Sequence, residues 1–153
     1  MLDFTLNLLR KLAGIGKTAN AGPQHLQTGL DGEEAAAEFI RKEGYQLLAR
    51  RWGSTLQKGD LDIVAVKDDL ICFIEVKTRT AHDDSPAERT VTIQKRNTLR
   101  KMARNYLNKN FKTNRPPVRF DILSVYLLPG RAAEFQHIKG AFNWSERKRS
   151  SDS

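Results

Sequence analysis

Residues Gly59 to Lys77 read GDLDIVAVKDDLICFIEVK. This stretch holds two apolar runs of strand length with a polar, acidic connection between them, a pattern typical of a β-hairpin. A two-residue turn at Asp68-Asp69 would place Asp62 of the first strand opposite Glu75 of the second, because each step along one strand is matched by a step back on the other. The sequence therefore predicts an acidic pair across neighbouring strands.

Asp62, Glu75 and Lys77 would share one face of this hairpin, because side chains two residues apart on a strand point the same way. Directly opposed residues have β-carbons roughly 5 Å apart. Two carboxylates that close raise each other's pKa unless a cation lies between them, and a divalent metal ion is such a cation. Asp60 points to the same face but lies at the entrance of its strand, so Asp62 is the favoured ligand.

Lys77 and Glu75 could instead form a surface ion pair, which contributes little to stability. Their apolar flanks, Phe73, Ile74 and Val76, favour a functional role. A lysine two positions beyond a metal-binding acid can orient an attacking water or stabilise charge on a phosphate.

The composition indicates a polyanionic partner. The 153 residues suit one domain with tails, and 26 Lys and Arg against 18 Asp and Glu give a net charge of +8. Nucleic acid is the first candidate and a membrane surface the second, but the sequence has no apolar run of the roughly 20 residues needed to span a membrane. The single cysteine, Cys72, excludes an internal disulfide and fits a reducing cytoplasm, and the three scattered histidines predict no zinc site.

A first helix is predicted to begin at a capping box formed by Asp31 and Glu34 and to end near Glu43, before Gly44. Glu33 shares a helical face with apolar residues and would look inward. A carboxylate on a packed face needs a cation or a donor, so Glu33 is a candidate third metal ligand or water-orienting base, with a helix-dipole role as the alternative.

A second helix is predicted from Val91 to Asn108. Lys95 falls on its apolar stripe and would either extend to solvent or reach a phosphate near the hairpin. Arginines recur at every fourth position on another face, which could be merely solvated or could contact a phosphate backbone. The candidate nucleic-acid contacts are Lys95, Arg96, Arg100, Arg104 and, just beyond the hairpin, Arg79.

Further strands are expected at Tyr45–Trp52, Val118–Leu128 and Ala133–Ile138. Residues 1–28 read as an amphipathic segment and flexible linker, residues 29–144 as the domain, and residues 145–153 as a disordered basic tail. The amphipathic segment could be a frayed extension or a helix that docks on a partner.

Several of these motifs together resemble a known family. They are Gly32-Glu33, Gly59-Asp60-Leu61-Asp62, Glu75-Val76-Lys77-Thr78-Arg79 and Arg119-Phe120-Asp121, with Gly44-Tyr45, Lys95, His137-Ile138 and Ala141-Phe142 around them. This pattern resembles the restriction-endonuclease-like superfamily, and most closely its YraN-like (UPF0102) family of bacterial endonuclease-like proteins.

The resemblance implies an α/β fold with an αβββαβ core and a central mixed sheet flanked by helices. It also implies a phosphodiester hydrolase site dependent on Mg²⁺ or Mn²⁺, in which Asp62 and Glu75 hold the metal, Lys77 assists the water and Glu33 adds a further acid.

Three functional hypotheses are compatible with these features. The first is a cytoplasmic endonuclease acting on branched or single-stranded DNA, in the manner of Holliday-junction resolvases. The second is a non-catalytic nucleic-acid-binding module that retains the fold. The third is an interaction protein recruited through its N-terminal segment. The sequence leaves open whether two copies form a homodimer to cut two strands.

Overall fold

The computed structural model describes residues 24–53, 60–82 and 86–146, with side chains from Asp31 onward apart from Glu88. Residues 1–23 of the predicted N-terminal segment and residues 147–153 of the predicted basic tail lie outside the described residues, whereas residues 24–28, predicted as linker, belong to the first helix. The elements in chain order are α1 (Gln24–Lys42), β1 (Gln46–Trp52), β2 (Leu61–Lys67), β3 (Leu70–Arg79), the one-turn α2 (Ala87–Thr90), α3 (Ile93–Asn110), β4 (Val118–Tyr126) and β5 (Glu134–Phe142).

The predicted hairpin is confirmed in type and register. Asp68 and Asp69 have φ angles of 50° and 63°, the left-handed pair required by a two-residue turn whose twist matches the strands. Val64 stands opposite Phe73, and the ladder runs on to Ile63 opposite Ile74. The next position in this register sets Asp62 against Glu75.

The five strands form one mixed sheet in the order β1-β2-β3-β4-β5. β3 and β4 are parallel, while the other neighbouring strands are antiparallel. Parallel neighbours need a crossover connection, and α3 supplies it. This αβββαβ order with a mixed sheet is the predicted α/β fold and is consistent with a restriction-endonuclease-like core.

Each face of the sheet carries its own apolar core. On one face Phe73 and Phe120 pack with the α3 residues Met102 and Tyr106. On the other face Ile63, Ile74 and Leu123 pack with the small α1 residues Ala36 and Ala37. The sheet therefore lies between the two helices.

The first helix ends as predicted but begins earlier. Gly44 has a φ of 87°, its N–H donates to Arg41 O, and the Tyr45 N–H donates to Ile40 O, which is the Schellman arrangement that ends helices. The capping box predicted at Asp31 is wrong, because α1 already begins at Gln24. Glu34 is therefore an interior residue rather than part of a cap.

The second long helix is shifted by two residues from its predicted bounds. It runs from Ile93 to Asn110, and the Thr92 hydroxyl accepts a hydrogen bond from the Lys95 N–H at 3.2 Å, a regular N-cap. The predicted stripe of Val91, Leu99, Met102 and Tyr106 is buried. Among the described residues, no helix is long and apolar enough to cross a membrane.

Gly32 lets α1 approach β3 closely. A β-carbon at this position would overlap the side chain of Thr78. Glycine inside a helix costs about 1 kcal/mol relative to alanine, so the close approach is the physical reason for a glycine here.

We expect Gly32→Ala to lower the free energy of unfolding by about 1–3 kcal/mol, because overpacking forces neighbouring groups apart. Urea denaturation measures this change in the free energy of unfolding. Adding Thr78→Ala should recover part of the loss, since the hydroxyl and methyl are removed while the β-carbon stays. A stabilising Gly32→Ala would contradict the packing argument.

Candidate active site

Asp62, Glu75 and Lys77 lie on the sheet face that packs against α3. Glu75 and Lys77 point to the same face of β3 as Phe73, because side chains two residues apart on a strand point the same way. The Phe73 ring contacts that of Tyr106 in α3, with centroids 5.8 Å apart. Asp62 is anchored across the ladder, because its Oδ2 accepts a hydrogen bond from the Val76 N–H at 2.8 Å. The hairpin therefore brings the three predicted site residues together.

Glu75 is the buried centre of this group, with only 5% of its surface exposed. Its Oε1 lies 3.6 Å from the Lys77 ammonium and 3.5 Å from the Lys95 ammonium. Its Oε2 is buried and has no hydrogen-bond partner. A buried carboxylate oxygen without a partner is rare in folded proteins, and it is the kind of atom that a cation can satisfy.

The electrostatics of Asp62 follow from its surroundings. Burial and the neighbouring charge of Glu75 raise the pKa of Asp62 to about 8, while the hydrogen bond from the Val76 N–H acts in the opposite direction. The negative charge of Glu33 adds a smaller upward contribution to the pKa. A dication beside Asp62 would favour the charged form of this carboxyl group.

The residues present fit a divalent metal ion. Two carboxylates with an unsatisfied oxygen form a hard oxygen donor set, which Mg²⁺ and Mn²⁺ prefer. Among the described residues, no three or more His, Cys, Asp and Glu side chains gather to hold a metal. The acidic pair of Asp62 and Glu75 would therefore be the protein's contribution to such a site.

Glu33 lies near the site but is bound elsewhere. Its Oε2 accepts a hydrogen bond from Arg51 Nε at 2.5 Å, and the adjacent Glu34 pairs with Arg50 at 2.8 Å. Arg51 has a φ of 47°, a departure from strand geometry that lets two consecutive arginines reach two consecutive glutamates. As predicted, the Glu33 side chain is largely covered, but it lies in an ion pair rather than beside Asp62 and Glu75. The prediction that Glu34 folds back onto a helix cap is wrong.

Lys95 reaches the site instead of extending to solvent. It belongs to the first turn of α3, and its ammonium shares Glu75 Oε1 with Lys77. The stripe position that was ambiguous in the sequence therefore places a second cation beside the acidic pair.

The three arginines of α3 differ in their surroundings. Arg100 is only 3% exposed, and its guanidinium donates to Asn143 O, Asn97 Oδ1 and Glu146. Arg96 also pairs with Glu146, whereas Arg104 is exposed with its guanidinium over the ring of Trp144. Of the three, Arg104 is the best placed to meet a ligand. Arg79 ends β3 and is partly buried.

A second buried charged cluster lies on the α1 face, and the residue pattern alone did not predict it. Asp121 is fully buried and accepts two hydrogen bonds from Arg119, one from the Gly140 N–H and one contact from His137 Nε2. Arg119 also donates to the Tyr45 hydroxyl. Burial alone would raise the pKa of Asp121, but the hydrogen bonds from His137, Arg119 and Gly140 outweigh it and hold that pKa below its ordinary value.

This cluster ties β4 and β5 to the end of α1, on the sheet face opposite the acidic pair. The signal that could have revealed it is the one that revealed Asp62, an aspartate inside an apolar strand.

Comparison with known proteins places the chain in a family. Residues 32–125 match the model of an uncharacterised protein family, UPF0102. A UPF0102 protein of Koribacter versatilis is 48% identical over 105 residues, covering 69% of this chain and 72% of that protein. One from Syntrophomonas wolfei is 40% identical over 76% of this chain and 97% of its own length, and one from Myxococcus xanthus is 36% identical over 80% and 94%. The chain belongs to the UPF0102 family.

Proposed function

We propose that this protein is a metal-dependent phosphodiester hydrolase, an endonuclease that acts on branched or single-stranded DNA. The observation that carries the proposal is the buried Glu75 carboxylate, with one oxygen shared by two lysines and the other without a hydrogen-bond partner beside Asp62. The net charge of +8 supports a nucleic-acid substrate.

Asp62 and Glu75 would hold Mg²⁺ or Mn²⁺ between neighbouring strands. The bound ion would neutralise the two carboxylates and supply Lewis-acid polarisation of a phosphate oxygen. The rigid hairpin register keeps the two acids at a fixed separation, and the Val76 N–H holds Asp62 in one orientation. Sites built on strands are positioned more precisely than sites on loops.

Lys77 and Lys95 would have separate roles in the reaction. Both ammonium groups lie close to Glu75 Oε1, and the two lysine side chains are about one-third exposed, so they can exchange that contact for a substrate phosphate. We assign Lys77 to orienting the attacking water and Lys95 to stabilising charge on the phosphate, where preorganised cations are most effective. Glu33 would join as a further acid only when it is released from Arg51.

We expect the wild-type protein with Mg²⁺ or Mn²⁺ to cut a four-way junction or single-stranded DNA. Glu75→Gln and Lys77→Met should each lower the rate by about a hundredfold or more, because each removes a charged group at the reacting phosphate. Gel assays on substrates of different shapes measure the cleavage rate, and binding assays run beside them measure the affinity. Asp60→Asn is the matched control, since it removes one exposed carboxylate next to β2.

The engagement of Glu33 by Arg51 favours a second candidate, a non-catalytic nucleic-acid-binding module, because the described residues then offer a metal only two carboxylates. Tight, salt-sensitive binding without turnover on any substrate, and unchanged by Glu75→Gln, would establish that candidate and contradict the hydrolase.

Metal binding should stabilise the fold. A ligand that binds only the folded state adds RT ln(1 + [L]/Kd), about 2.7 kcal/mol at a hundredfold excess over Kd. We expect Mn²⁺ to raise the melting temperature of the wild type and of Asp60→Asn, and to leave that of Asp62→Asn unchanged. An equal rise in all three would place the metal elsewhere.

The metal-free protein should lose stability as pH rises. The folded state keeps the Asp62 proton up to a pKa of about 8, whereas the unfolded chain releases it near the ordinary value of about 3.9. The folded state therefore binds more protons between these values, and its stability falls with a slope of up to about 1.4 kcal/mol per pH unit.

Urea denaturation in EDTA from about pH 5 to pH 8 measures this slope. The slope should be smaller in Asp62→Asn, which cannot ionise. Equal slopes in the two proteins would show that Asp62 titrates normally.

A further inference from the structure

A groove at the far end of α3 combines cationic, aromatic and apolar groups. It has a volume of about 400 Å³ and is lined by Arg104, Leu107, Arg115, Pro116, Pro117, Val118 and Trp144. These residues come from the last turns of α3, the connection to β4, the first residue of β4 and the segment after β5. None of them belongs to the acidic pair or its lysines.

Trp144 is the unusual residue of this groove. It is 37% exposed and, with Ile93, is one of two exposed large apolar side chains among the described residues. Its ring and that of Phe120 meet in a T-shaped contact with centroids 4.8 Å apart, and the Arg104 guanidinium lies over the Trp144 ring at 5.3 Å. An exposed tryptophan with a cation above it offers both stacking area and positive charge.

The segment that carries Trp144 is held in place on both sides. Arg100 donates to Asn143 O at 2.7 Å and to Glu146 at 2.9 Å, and Arg96 also contacts Glu146. The buried Arg100 therefore holds the backbone before the tryptophan and the Glu146 side chain after it. A preordered ring loses little entropy on binding, which favours its use as a docking platform.

Charge complementarity identifies the occupant. Arg104 and Arg115 are both exposed, and Arg115 donates a hydrogen bond to Asn108 of α3. The described residues that line the groove include no acidic side chain. A ligand that offers flat aromatic bases and phosphates in alternation matches this set, and single-stranded nucleic acid has that chemistry.

We propose that this groove is a second binding site, for single-stranded nucleic acid, in which a base stacks on Trp144 and the adjacent phosphates pair with Arg104 and Arg115. Nine residues of α3 separate Lys95 at the acidic pair from Arg104, which is about 14 Å along the helix. A stacked strand advances about 3.4 Å per nucleotide, so the groove would hold the strand about four nucleotides from the bond to be cut. This spacing rests on the proposed hydrolase function, whereas the binding itself does not.

The test measures the affinity of labelled oligo(dT), oligo(rU) and a blunt duplex in EDTA, where no cleavage occurs. Trp144→Ala should weaken single-strand binding about tenfold to a hundredfold, the contribution of one stacked base. Duplex binding should change less than about twofold, because its bases are already stacked. Trp144→Phe keeps a ring and should retain most of the affinity, which guards against a folding defect in Trp144→Ala.

Arg104→Ala is compared with Lys101→Ala. Each removes one exposed positive charge from α3, but Lys101 does not line the groove. Arg104→Ala should weaken single-strand binding more than Lys101→Ala does. Equal losses, or a Trp144→Ala effect of the same size on duplex and single strand, would overturn the inference.

The outcomes separate the two proposals. If the wild type cuts nothing but Trp144→Ala still loses single-strand affinity, the hydrolase fails and the groove stands. If the wild type cuts DNA and Trp144→Ala binds single strands normally, the groove fails and the hydrolase stands.

Discussion

The turn at Asp68-Asp69 is the constraint on which the rest of the site depends. Both residues have left-handed backbone conformations, and this two-residue turn fixes which positions of β2 and β3 face each other. A slip of one residue would send Asp62 to the opposite face of the sheet, where Ile63 and Ile74 pack against α1. The acidic pair therefore exists because the turn has this length, and it stays in register because both faces of these strands are buried.

The same register explains how the fold tolerates two buried acids that lower its stability. A buried carboxylate without a full set of partners destabilises a protein, and Glu75 has one oxygen without any. The surrounding apolar cores are large enough to hold the hairpin together regardless, with Phe73, Phe120 and Tyr106 in contact beside Glu75. A buried acidic pair that lowers the stability of the fold is typical of a functional site. Asp121 shows the contrast, because it is equally buried but its oxygens have partners on every side.

The sequence predicted the features that depend on periodicity and turn chemistry. The hairpin, its register, the sheet face shared by Asp62, Glu75 and Lys77, the end of α1 at Gly44 and the apolar stripe of α3 all follow local rules. The capping box predicted at Asp31 failed because α1 already begins at Gln24, and the other features that were missed depend on contacts between distant segments. The pairing of Arg51 with Glu33 requires a left-handed residue in β1, and no local pattern predicts it. Arg100 looks like its exposed neighbours in the sequence, and only the position of residues 143–146 reveals that it is buried.

Helix α3 connects the two parts of the molecule that carry unusual chemistry. Its first turn supplies Lys95 to the acidic pair, and its last turns supply Arg104 and Leu107 to the groove under Trp144. Between them Arg96 and Arg100 bind the chain after β5 through Glu146, so the arginines that the sequence presents as a uniform basic face have separate tasks. Arg96 and Arg100 hold the segment that carries Trp144 in place, whereas Arg104 is exposed to solvent beside the Trp144 ring. A rigid helix of this kind keeps the spacing between the acidic pair and the groove constant, which is what a protein needs if one strand of nucleic acid is to contact both.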